Sequence, residues 1–289
     1  MSTALLGSSV GVPAIVRAAS AAPRPTSAAV QARLGELESS ALGRLGVHIR
    51  DTATGQEYGY RSDERFLMLS SFKLLASALV LHRVDARLDS LERSIPYTRG
   101  DLVTWSPVTE THVGRGRMTL AELCEATITT SDNTAANLIL SSYGGPAAVT
   151  AYARQLGDTV TRLDRTEPEL NVPHPHEALD TTTPRAMLHT MHRVVLGDAL
   201  SPESRKQLQR WLVGNTTGDR RLRAGLPMDW RVGEKTGTNQ TDANDIGVAW
   251  PPDRPPLLIT AYLAESKADG GVRETTLAAV GKLVYEITR

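Results

Sequence analysis

Apolar residues recur at helical spacing through residues 28–42, where Val30, Leu34, Leu37 and Leu42 share one face before Gly43 ends the run. From Leu45 to Arg50 the period drops to two, Thr52-Ala53-Thr54-Gly55 reads as a turn, and Gln56 to Tyr60 can return as the second strand of a hairpin. Helical periodicity resumes from Ser71 to Val84 and dominates Thr119 to Val213, with helix starts predicted at Thr119, Asp132, Thr183 and Ser201. Strand patterns come back at Trp230–Glu234, Asp245–Trp250 and Pro256–Ala264, and an amphipathic helix is predicted over Glu274–Ile287. A sheet assembled from both ends of the chain, with a helical block inserted between them, satisfies this order. The predicted class is α/β (α+β), with residues 26–61 and 214–289 forming an α/β lobe and 62–213 a helical lobe. A cleft between the two is the expected site.

At 289 residues the chain is long enough for one large core or two interlocked lobes. Its 32 Lys+Arg balance 32 Asp+Glu, and no basic run is dense enough to grip a phosphate backbone, so nucleic acid is not an expected partner. Cys124, the single cysteine, excludes an internal disulfide and a cysteine-clustered zinc site; a small buried apolar role suits it. No stretch holds the roughly 20 apolar residues that span a bilayer. Residues 1–25 read either as a disordered tail or as a degenerate export signal ending near Ala19-Ser20-Ala21, with no basic residue before Arg17.

Four short segments carry chemistry. In Ser70-Ser71-Phe72-Lys73 the hydroxyl and the amine stand one helical turn apart at a helix start, a spacing that suits a nucleophile and a base, although Ser-x-x-Lys also occurs on solvated helices. Ser131-Asp132-Asn133 joins two helical runs: Asp132 caps the second, and Ser131 and Asn133 can face a cleft as proton shuttle and amide ligand. Residues 165–180 are too irregular for a helix and form a predicted Ω-loop, with Arg165 and Asp180 able to pair across its neck and Glu167-Pro168 a candidate cis peptide. Lys235-Thr236-Gly237 follows a strand and offers an ammonium, a hydroxyl and close backbone approach to an anionic ligand. The pairs His174/His176 and His189/His192 lack a third ligand in the sequence and are read as surface or supporting histidines, with no metal or cofactor expected.

Taken together, these residues resemble the class A serine β-lactamases from about Thr26 to Arg289. Trp105-Ser106-Pro107-Val108-Thr109-Glu110 is similar to that family's aromatic cleft-edge segment. Leu163 to Asn171 is similar to its Ω-loop, and Gly214 to Asp219 to its helix-to-strand return. The resemblance implies an antiparallel sheet flanked by N- and C-terminal helices plus an inserted all-helical lobe. It also implies that Ser70 attacks a β-lactam carbonyl, with the amides of Ser70 and Thr238 as oxyanion hole and either Lys73 or Glu167 as base. Ser131 would protonate the departing nitrogen, while Lys235, Thr236 and Thr238 bind the substrate carboxylate beside Gly237. Glu167 and Asn171 would activate the hydrolytic water, and Trp105 and Asn133 would contact substrate. The arginine that many members carry after Lys-Thr-Gly is missing from Asp242-Ala243-Asn244-Asp245, and Arg221 matches the alternative auxiliary anion binder. The turn 238–242 is one residue short and carries Asn239, which leaves the spectrum among penicillins, cephalosporins and carbapenems open.

The resemblance further implies an exported protein, monomeric by default, with a small-molecule β-lactam as its partner. The rival readings are a penicillin-binding DD-peptidase or receptor, against which Glu167 and Asn171 argue, and a scaffold that has lost turnover.

Overall fold

The computed structural model describes residues 1, 3–4, 25–174 and 176–289; the export-signal motif at residues 19–21 lies outside them. The first helix, α1 (Ser27–Ser40), is followed by strands β1 (Arg44–Asp51), β2 (Glu57–Tyr60) and β3 (Phe66–Leu67). The middle of the chain supplies α2 (Phe72–Asp85), β4 (Ser94–Pro96), α3 (Thr109–His112), β5 (Arg117–Thr119), α4 (Leu120–Thr129), α5 (Asn133–Ser142) and α6 (Pro146–Gln155). It then continues through β6 (Thr181–Thr182), α7 (Pro184–Val195), α8 (Pro202–Val213) and α9 (Leu222–Gly225). Strands β7 (Arg231–Thr238), β8 (Ala243–Trp250) and β9 (Leu257–Ala264) and helix α10 (Gly270–Ile287) complete the order.

The main sheet runs β2-β1-β9-β8-β7 with every ladder antiparallel, so strands from both chain ends pair at β1 and β9. Period-two alternation explains its two cores. Leu45, Val47 and Ile49 of β1 and Leu257, Ile259, Ala261 and Leu263 of β9 face α1 and α10. Ile246, Val248, Leu258 and Tyr262 face the helical block of α2, α7 and α8. Gly46 and His48 occupy the second face of β1, which is also covered, so His48 is buried despite its polarity.

The predicted helix starts are chemical caps. Thr119, Asp132, Thr183 and Ser201 each accept from the backbone N–H three residues on, Asp132 most closely at 2.8 Å to Ala135. Glu122 returns a bond to the Thr119 amide and completes a capping box.

Three expectations are corrected. Helix α1 stops at Ser40, and Leu42 adopts φ 48° and is 60% exposed, because the chain reverses into β1 at once rather than extending the apolar stripe. Helix α10 begins at Gly270, capped by Asp269, four residues before the predicted start; Gly270 and Gly271 conceal its first turn because glycine is a poor helix former. The stretch 62–213 is not all helical, since β3 pairs with β6 and β4 with β5. The β3–β6 ladder ties the segment before Ser70 to the end of the Ω-loop, where the Met68 amide donates to Asp180 O at 2.9 Å. Among the described residues no helix is long and apolar enough to cross a membrane.

Candidate active site

Ser70 sits in a single 3₁₀ turn (Leu69–Ser71) that runs directly into α2, which places Lys73 one turn further on the same side. Lys73 is fully buried in the first turn of α2, and its ammonium donates to Ser70 Oγ at 2.9 Å, Ser131 O at 2.9 Å and Asn133 Oδ1 at 2.6 Å. Glu167 approaches from the opposite wall: Ser70 Oγ donates to its Oε1 at 3.1 Å, and Lys73 Nζ lies 3.0 Å from the same oxygen. Both expected base candidates therefore touch the Ser70 hydroxyl directly.

The Ω-loop holds Glu167 as its neck residues predict. Arg165 Nε donates to Asp180 Oδ2 at 2.6 Å, and the Glu167-Pro168 bond is cis. Asn171 Nδ2 reaches Glu167 Oε2 at 2.5 Å, while Asn171 Oδ1 is buried without a protein partner among the described residues. Asn137 grips the Glu167 backbone on both sides, accepting from its N–H at 2.9 Å and donating to its C=O at 2.8 Å. No motif in the sequence singles out Asn137, yet it stands four residues after Asn133 on α5, on the same helical face.

Lys235, Thr236 and Gly237 lie within β7, which runs on to Thr238 instead of ending before them. Lys235 Nζ donates to Ser131 Oγ at 3.1 Å, and the Thr236 and Thr217 hydroxyls meet at 2.5 Å. Gly237 lies so close to the Ser70 turn that a Cβ there would come within 2.8 Å of Leu69 Cβ and 3.2 Å of Ser70 N. Glycine is what lets β7 close on the nucleophile. Asn244 of β8, which lies outside every motif, pins the same turn by donating to Leu67 O at 2.8 Å.

Arg221 is placed differently from the other anion-binding candidates. It is 5% exposed and lies behind β7, donating to Asn244 O at 2.8 Å, Gly237 O at 3.0 Å and Thr238 Oγ1 at 2.7 Å. Asn239 links the β7–β8 turn to the Ω-loop by donating to Asn171 O at 3.1 Å.

Ser70, Trp105, Ser131, Asn133, Glu167, Asn171, Thr217, Thr236, Gly237 and Thr238 line one cleft of 360 Å³, with Lys73 and Lys235 buried beneath it. Trp105 stands 61% exposed at the rim. Leu69, Trp105 and Ser131 hold φ of 48°, 65° and 60°, so three non-glycine residues around this cleft occupy the left-handed region. Each costs of order 1 kcal/mol or more, and such residues gather at functional sites.

Burial controls the electrostatics. It holds the Lys73 pKa below the ordinary lysine value, against the opposing attraction of Glu167 and Asp132. Lys235 is lowered well below its usual value, first by burial and then by the positive charge of Lys73 and Arg221. Behind β7, burial raises the Asp245 and Glu234 carboxyls, and the nearby Glu234 raises Asp245 further. Cys124 is buried and its thiol is pushed up to about 12, consistent with an inert packing residue. The arrangement sets a serine hydroxyl against an amine and a carboxylate, beside a second hydroxyl and a second buried lysine, a set of groups that can support nucleophilic acyl transfer.

A family model described as "Beta-lactamase enzyme family" matches residues 28–288. The chain is 48% identical to beta-lactamase L2 of Stenotrophomonas maltophilia over 98% of this chain and 95% of that protein. It is 46% identical to beta-lactamase OXY-2 of Klebsiella oxytoca, covering 89% of each. Among solved structures, an ancestral (GNCA) class A beta-lactamase superposes with TM-score 0.87 at 58% identity, over 89% of this chain and 99% of that one.

Proposed function

The chain belongs to the class A β-lactamases and is a β-lactam hydrolase; from that premise we propose that it works through an ester on Ser70 and a water activated by Glu167. The observation that carries this reading is the position of Ser70 Oγ, 2.9 Å from Lys73 Nζ and 3.1 Å from Glu167 Oε1 on the wall of the cleft.

In acylation, Ser70 Oγ attacks the lactam carbonyl carbon and its proton passes to Lys73 or Glu167. The oxyanion is held by the Ser70 and Thr238 amides, a role supported by the close approach of Gly237 to the Ser70 turn. The C–N bond then breaks, and Ser131, in contact with both lysines, gives its proton to the leaving nitrogen and is reprotonated from Lys73, which passes on the Ser70 proton that it took directly or receives from Glu167, so that Glu167 is ionised again. Lys235, Thr236 and Thr238 receive the substrate carboxylate, with Asn133 and Trp105 along its side chain. In deacylation a water bound between Glu167 and Asn171 Oδ1 loses a proton to Glu167 and attacks the ester carbonyl; Ser70 leaves and recovers its proton. None of these steps calls for a cofactor. The site of action proposed with the family is outside the cytoplasm.

The test is acid quenching within the first turnover of a penicillin, followed by digestion and mass mapping. One substrate mass is expected on the peptide bearing Ser70; an adduct elsewhere, or none, contradicts the proposal. The pH dependence of adduct formation separates the two bases. A lowered amine pKa makes Lys73 neutral at a lower pH than free lysine, so with Lys73 as base the rate climbs with pH and levels before the ordinary value of 10.5. A rate flat over that range assigns the role to Glu167.

Arg221 acts on the anion site through Thr238. Arg221→Ala is expected to raise KM for carboxylate-bearing substrates roughly tenfold, the loss of one charge-assisted bond, with a smaller change in ester hydrolysis. Unchanged steady-state kinetics across several such substrates would remove Arg221 from the site.

A further inference from the structure

On the covered face of β1, away from the cleft, His48 of β1, Glu57 of β2 and His189 of α7 bring three potential ligand atoms within 4.8 Å of one another. Glu57 is central: its Oε2 lies 3.0 Å from His48 Nε2 and its Oε1 3.3 Å from His189 Nε2. A zinc ion bound at about 2.0–2.2 Å on tetrahedral vertices spaces its ligand atoms by roughly 3.3 Å. The two imidazoles stand edge-on with ring centroids 6.0 Å apart, so they are not stacked.

The hydrogen bonds around His48 suit the tautomer that ligates a metal through Nε2. Ser62 Oγ lies 3.1 Å from Val47 O and 3.0 Å from His48 Nδ1, so when its hydroxyl donates to Val47 O it can accept from His48 Nδ1–H. With Nδ1–H so held, the Nε2 lone pair is free to bind a cation alongside the Glu57 carboxylate oxygen 3.0 Å away. The nearby arginines compete weakly: Arg50 and Arg185 stand 3.5 and 3.7 Å from Glu57, and Arg185 is already paired with Asp63 at 2.8 Å. An open hollow of 560 Å³, lined by His48, Glu57, Ser62, Asp63, Arg61 and Arg185, gives access from solvent to His48 and Glu57, and His189 lines the neighbouring hollow.

We infer that His48, Glu57 and His189 form a binding site for a divalent transition metal, zinc by ligand type, with the fourth position open to water. The ion staples helix α7 to the β1–β2 hairpin, and it takes no part in the chemistry of the cleft.

Isothermal titration of the chelator-treated full chain with zinc chloride tests the inference, alongside cobalt substitution. The expected result is one equivalent bound per chain, the intense visible spectrum of tetrahedral cobalt, and a thermal midpoint raised by roughly 5–10 °C at a hundredfold excess of zinc over Kd. His189→Gln alters a half-exposed side chain and is expected to abolish the cobalt spectrum and the thermal shift while the protein stays folded. Ser62→Ala should weaken zinc binding about 10–100-fold by releasing the His48 tautomer. His192→Gln and the double variant His174→Gln/His176→Gln should bind as the parent does. No zinc uptake by the folded chain, or uptake that survives His189→Gln, overturns the site.

Discussion

Glu167→Ala is expected to open the first equivalent of β-lactam and then stop, holding the substrate as a stable ester on Ser70. The physical reason is that the two half-reactions draw on Glu167 differently. In acylation Lys73 also touches the Ser70 hydroxyl, at 2.9 Å, and can accept its proton. In deacylation the attacking water needs a carboxylate beside Asn171, and no second carboxylate lines the cleft among the described residues. Loss of a positioned general base costs about 10³-fold, or ~4 kcal/mol of barrier. The variant also leaves a fully buried ammonium without its counter-ion, which lowers the Lys73 pKa further and favours the neutral amine. Stopped-flow absorbance with intact-mass detection reads both steps; rapid repeated turnover would remove Glu167 from its proposed role.

Asp132→Ala is expected to be the most destabilising single change at the site, by about 3–5 kcal/mol. The fully buried carboxylate accepts from Val108 N at 2.9 Å, Thr109 N at 2.8 Å, Thr109 Oγ1 at 2.9 Å and Ala135 N at 2.8 Å. It caps α5 and at the same time moors the segment after Trp105, so its removal strands four donors, three of them buried, and frees the Ser131-Asn133 turn. Urea unfolding should show a lower midpoint with an unchanged slope, together with a fall in kcat/KM. A loss below about 1 kcal/mol would show that water replaces the carboxylate and that Asp132 is only a cap.

Features that depend on neighbours along the chain were legible in the sequence. The four helix caps are local chemistry, and all four form as predicted. Ser70 and Lys73 are one turn apart, so their contact follows from helix geometry alone. The Arg165–Asp180 clasp across the Ω-loop neck was foreseeable because both ends of a short loop must meet. Features set by packing between distant segments were harder to see. The burial of Arg221 behind β7 depends on the register of β7 against β8, and Gly237 is required by the approach of the Ser70 turn, a contact that no local pattern announces. Asn137 and Asn244 act on backbone groups far away in sequence, so their roles carry no spacing signature. Spacing pairs His189 with His192 on its own helix, whereas its partners come from two strands near the other end of the chain.

The central claim is a serine ester that forms and is then hydrolysed at one site. It is tested most directly by mixing the purified protein with a chromogenic cephalosporin in large excess, following ring opening while intact mass is sampled through the reaction. The account predicts many equivalents opened per chain, with a substrate adduct present during turnover and gone once substrate is exhausted. A single equivalent opened, leaving a persistent adduct, would contradict it and would make the protein a β-lactam receptor that acylates without release.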